Sequence, residues 1–109
     1  MIDPLTFRET IATYEKHGWQ LRRVLLRTMS KSALADLIPS DVPVVEHQLD
    51  AAWFSRPPAD KPVAWELRFL GDSPFAFVEH INESSPDFEQ ALRAVEDRLN
   101  KAILSKRSA

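Results

Sequence analysis

The stretch from Pro62 to Asn82, PVAWELRFLGDSPFAFVEHIN, limits what this chain can fold into more than any other. Two runs of alternating apolar residues flank Gly71-Asp72-Ser73-Pro74, a cluster of turn formers, and that pattern is the signature of a β-hairpin. Side chains alternate between the two faces of a strand. Val63, Trp65, Leu67 and Phe69 therefore share one face, and Ala64, Glu66 and Arg68 the other. The second arm, Phe75 to Ile81, is apolar on both faces near its start. An isolated hairpin is marginal in water, so the remaining residues are read as its cover.

Two helices with clear ends supply that cover. In the first, Asp3 is suited to cap the N-terminus and Pro4 sits where a missing N–H costs nothing. Ile2 and Phe7 are spaced as a hydrophobic staple. Phe7, Ile11 and Tyr14 recur at helical spacing, Lys16 and His17 suit the negative end of the dipole, and Gly18 supplies a left-handed stop. A Schellman ending would lay Trp19 against Tyr14. The helix is expected over Pro4 to His17. In the second, Ser85 caps, Pro86 takes the first position, and Phe88, Leu92, Val95, Leu99 and Ile103 form one stripe. Glu89 with Arg93 and Asp97 with Lys101 add weak i,i+4 support. Residues 105–109 are expected to fray.

Between the first helix and the hairpin, Trp19 to Thr28 reads as a strand. Leu21, Arg23 and Leu25 would share one face, and Arg22, Val24 and Leu26 the other. Ser30 to Ile38 suits two turns of helix capped by Ser30 and ended by Pro39. Val42 to Phe54 reads as one strand with Val45, Leu49, Ala51 and Trp53 on a common face, followed by a proline-rich loop from Ser55 to Pro62. The order implies a single α+β domain over residues 1–109. It is expected to be a two-layer sandwich, with a four-stranded antiparallel sheet carrying an N-terminal and a C-terminal helix on one face. The buried face would collect Leu21, Leu25, Leu49, Trp53, Trp65, Leu67, Phe69 and Phe77.

Composition narrows function mostly by exclusion. A length of 109 residues supports one core, and the 44% apolar and 28% charged fractions are ordinary for a soluble domain. With no cysteine there is no disulfide, thiolate metal site or cysteine nucleophile. No signal peptide pattern and no apolar run long enough to span a bilayer are present, so a cytoplasmic protein away from membranes is expected. Only Gly18 and Gly71 exist, which rules out a glycine-rich phosphate loop, and no serine lies in a Gly-x-Ser-x-Gly elbow. Carboxylate pairs such as Asp36 with Asp41 or Glu66 with Glu79 have no sequence reason to converge. No catalytic residue, cofactor or metal is expected.

Two features have nonetheless to be weighed as ligand sites. Val45-Glu46-His47 and Val78-Glu79-His80 repeat a tripeptide on strands. Neighbouring Glu and His on a strand point to opposite faces, so His47 and His80 read as a chance echo rather than half a metal site. The basic excess before Leu34 and the order of helices and strands invite comparison with double-stranded RNA binding domains. Those present lysines to the phosphates at the start of the last helix. Here that position reads Ser84-Ser85-Pro86-Asp87-Phe88-Glu89, which would repel them. The strands also lack the aromatic motif of an RRM. With a net charge of −2, nucleic acid is not an expected partner.

The aromatic surplus is more informative. Trp53 and Phe54 are adjacent on a strand, so one must face away from a single helical layer. Leu26, Phe54, Leu70, Ala76 and Val78, mixed with Arg22, Glu66, Arg68 and His80, would make the open sheet face apolar enough to need a partner. The competing account is that bulges or twist hide these groups. The leading expectation is thus a non-enzymatic interaction module, dimerising with itself through the open face or a sheet edge. The second is a small-ligand domain with a pocket between sheet and helices, lined by Tyr14, Trp53 and Trp65.

Overall fold

The computed structural model describes residues 3–56, 63–71 and 75–108, with side chains as far as residue 105. The chain is an α+β fold. Its elements are α1 (Pro4–Lys16), β1 (Gln20–Leu26), α2 (Thr28–Leu34), a 3-10 turn (Ala35–Leu37), β2 (Val44–Glu46), β3 (Ala51–Arg56), β4 (Ala64–Phe69), β5 (Ala76–His80) and α3 (Phe88–Ser108). The sheet has the order β2-β1-β3-β4-β5. All neighbours are antiparallel except β1 and β2, which run parallel across the α2 crossover. No helix among the described residues is long and apolar enough to cross a membrane.

Several local signals act as the sequence implies. Asp3 Oδ1 accepts from the Thr6 N–H at 2.9 Å, capping α1. At the other end Trp19 N–H donates to Tyr14 C=O and Gly18 N–H to Glu15 C=O, with Gly18 at φ +88°, so a Schellman ending forms. The rings of Tyr14 and Trp19 meet edge-on at 6.1 Å. The hairpin pairs Leu67 with Phe77, and Trp65, Leu67 and Phe69 are buried against α3 as expected. The helix α3 runs through Ser108. The Ile2 half of the staple, residues 57–62 of the proline-rich loop, and Asp72 to Pro74 of the turn lie outside the described residues.

The layering departs from the expected two-layer sandwich. The sheet is covered on both faces, and the terminal helices divide between them. On one side α3 sets Leu92, Val95, Leu99 and Ile103 against Leu25, Trp53, Trp65 and Leu67. On the other, Phe7 of α1 and Leu34 of α2 pack with Val24, Leu26, Ala52 and Phe54, flanked by Ile11 and Tyr14. The cause is β3, whose Trp53 and Phe54 are both fully buried although they point in opposite directions. Neither indole nor phenyl ring can be left in water without forfeiting roughly 2–3 kcal/mol of burial, so each face needs its own helix.

Two irregularities account for the fifth strand and for a change of face. The expected Val42–Phe54 strand breaks because Asp50 turns inward, 3% exposed. Its carboxylate accepts from the Arg27 N–H at 2.9 Å and the Ser30 hydroxyl at 2.8 Å, and pairs with the Arg27 guanidinium at 3.2 Å. Ser30 is therefore a buried tie inside α2, not its cap, and α2 begins at Thr28. In β1 the pairing with β3 slips between Leu21 and Arg23. This β-bulge moves Leu21 to the α1 side and sends both Arg22 and Arg23 to the α3 side.

Replacing Asp50 by Ala should cost about 3 kcal/mol, because two donors are orphaned in the interior. Gly18→Ala should cost about 1 kcal/mol from its left-handed backbone alone. Chemical denaturation of the two variants, read as a fall in midpoint with unchanged slope, checks both.

Candidate functional site

The nine residues expected on one open face separate into four groups. Leu26, Phe54 and Leu70 are buried beneath α1 and α2, so they are core rather than contact surface. Arg22 lies on the opposite side of the sheet through the bulge. There it stacks 4.8 Å over the Trp65 ring and grips Glu83 through both terminal nitrogens at 2.9 and 3.2 Å. Glu66 is half-buried and accepts the Tyr14 hydroxyl, while Arg68 borders a shallow cleft of about 230 Å³ with Thr6, Glu9, Thr10, Thr13 and Tyr14. Ala76, Val78 and His80 remain exposed, Val78 by 51%.

These last three residues belong to β5, the outer strand of the sheet, whose hydrogen bonding can be followed from its two ends. Phe69 N–H donates to Phe75 C=O at 2.8 Å, and Ile81 N–H donates to Val63 C=O at 3.2 Å. Antiparallel ladders alternate, so the odd-numbered residues of β5 turn their backbone groups toward β4. Ala76, Val78 and His80 consequently aim N–H and C=O outward, and no described residue bonds them from that side. The strand carries no proline, lysine or bulge of the kind that usually blunts an exposed edge. The opposite edge is different. β2 has three residues, follows Pro43, and has its Glu46 carboxylate engaged by the Thr28 hydroxyl.

The expected aromatic pocket does not exist as one site. Tyr14 lies on the α1 side, stacked on Phe54 at 4.0 Å. Trp53 and Trp65 lie on the α3 side, edge-on to each other at 6.0 Å and buried. The sheet itself separates them. Glu96, absent from the expected site residues, is 6% exposed yet occupies the helical stripe between Leu92 and Leu99. Its Oε2 accepts the Trp53 indole N–H at 2.8 Å, and its Oε1 lies 3.7 Å from His47 Nε2. A carboxylate four residues after one stripe position and three before another was the available sign. Beside it, Glu46, His47, Gln48, Asp97 and Asn100 border an open cleft of about 400 Å³.

The two histidines of the repeated tripeptide are not brought together. His47 follows β2 and His80 ends β5, at opposite edges of the sheet. Among the described residues no three acids or histidines are placed to hold an ion. Part of the basic excess near the N-terminus is committed to carboxylates, since Arg23 grips Glu89 at 3.1 and 3.0 Å and Arg27 pairs with Asp50. The Arg23 hydrogen bonds hold the Glu89 carboxyl below its usual range. No protein-family model, curated protein or solved structure matches this chain.

Tyr14 is the chain's single tyrosine, so its ionisation can be followed alone. Burial, reinforced by the hydrogen bond to Glu66 and the charge of that group, pushes its hydroxyl up to about 12. The neutral hydroxyl is the form that the fold favours. Stability should be intact below pH about 10, the unfolded value, and fall as pH rises toward about 12. Tyrosinate absorbance should show a midpoint near 12 in the folded chain, returning to about 10 in denaturant.

Proposed function

We propose that this protein is a cytoplasmic, non-enzymatic interaction module that associates with a second copy of itself through the β5 edge of its sheet. The observation that carries this reading is the outer strand Ala76–His80, with Val78 51% exposed and the backbone groups of alternate residues directed outward. Strand addition at such an edge supplies main-chain hydrogen bonds irrespective of side chain, and the exposed apolar groups beside it add burial. The β2 edge, only three residues long and preceded by Pro43, offers less backbone, which favours β5 as the place of contact. Of the two expected partner surfaces, the sheet face and a sheet edge, the helices on both faces favour the edge.

A five-residue strand pair is a small interface, and interfaces below about 1,200 Å² belong to reversible complexes. The average mass by light scattering should therefore rise from monomer toward dimer with concentration and fall again on dilution. Val78→Lys places a charge in the middle of the edge, at an exposed position that tolerates it. The variant should remain monomeric at every concentration with an unchanged circular dichroism spectrum. A wild-type chain that stays monomeric at the highest attainable concentration would refute the proposal.

A further inference from the structure

Resting on the β5-edge reading, we infer that the second copy docks antiparallel with the two-fold axis through Val78, and that Arg98 of each copy clasps Glu79 of the other. The spacing of the edge groups sets the register. Ala76, Val78 and His80 each offer one N–H and one C=O to the outside. An axis through Val78 sets that residue against itself and Ala76 against His80, so every outward group of the strand is used. An axis through Phe77 leaves the His80 groups facing beyond the opposite strand. An axis through Glu79 brings two like carboxylates face to face, which destabilises a strand pair.

The α3 side of the strand supplies charge complementarity for the same register. Arg98 lies 5.0 Å over the Phe77 ring and pairs with Glu79 of its own chain at 2.8 Å. Both side chains keep about half their surface in water, 56% for Arg98 and 43% for Glu79. With the axis at Val78, Glu79 of the second copy falls opposite Phe77, in a non-hydrogen-bonded pair with Cα atoms about 4.5 Å apart. It thereby enters the neighbourhood of the guanidinium that covers that ring. Two arginines and two glutamates then form one neutral cluster across the axis. A guanidinium has donors enough for both carboxylates.

The absence of cysteine allows a clean test by single-cysteine cross-linking of the full chain. Hydrogen-bonded facing residues have Cα atoms about 5.5 Å apart, within disulfide range. Under mild oxidation Val78→Cys should give a covalent dimer. Ala76→Cys mixed with His80→Cys should link as a mixed pair, and Lys31→Cys on α2 should not link. If wild type dimerises by light scattering but Val78→Cys links no faster than Lys31→Cys, the register is overturned and edge association stands. If wild type never dimerises, edge association is itself overturned, and the register with it. The clasp has a separate readout. Glu79→Arg mixed with Arg98→Glu makes the contacts within each chain repulsive and those between chains attractive. Mixed dimers should exceed the statistical proportion by about fivefold. A statistical mixture would overturn the clasp.

Discussion

The adjacency of Trp53 and Phe54 on the central strand governs this molecule. Every residue from Ala51 to Ser55 is buried, so β3 is wrapped on both faces and both neighbours. One helix cannot satisfy two opposed aromatic side chains. The chain spends its first helix on Phe54 and its last on Trp53, and the sheet becomes the middle of three layers. Both broad faces are thereby occupied, and what remains accessible lies at the rim.

Polar groups that follow the aromatic residues into the interior are held by specific partners. Glu96 receives the indole N–H of Trp53, and Asp50 collects an amide, a hydroxyl and a guanidinium. Each arrangement replaces the water a buried carboxylate would lose. His47 Nδ1 is one exception among the described residues, and the Trp65 indole nitrogen, buried without a hydrogen-bond partner, is the other. Its ring is instead packed edge-on between Trp53 and Phe88 and covered by Arg22. Dispersion and the cation above the ring offset a donor left unmet, which costs about 1–3 kcal/mol.

Features encoded by neighbouring residues were legible in the sequence. The Asp3 cap, the Gly18 stop with Trp19 folded back on Tyr14, the α3 stripe and the hairpin register all depend on spacings of five residues or fewer, or on strict alternation. Features that depend on distant partners were not. Nothing local says that Asp50 turns inward to meet Arg27 and Ser30, so the break between β2 and β3 was invisible. The bulge at Leu21–Arg23 interrupts the period of two on which facial assignment rests. This carried Arg22 to the wrong side of the sequence reading. Leu26, Phe54 and Leu70 were correctly grouped on a common face, but that face is covered. The candidate surface kept only the members on the outer strand, Ala76, Val78 and His80, where α1 no longer reaches.

The contrast between the two margins of the sheet has one more consequence. β2 is short, begins after a proline that cannot donate, and presents little backbone for another strand to copy. A molecule with an inviting strand at both ends could add copies without limit and grow into a fibre. Here strand addition at β5 consumes the one inviting end, and the product exposes two blunt ones. Growth by this route closes at two copies, so an open edge can be kept for association without opening a path to polymerisation.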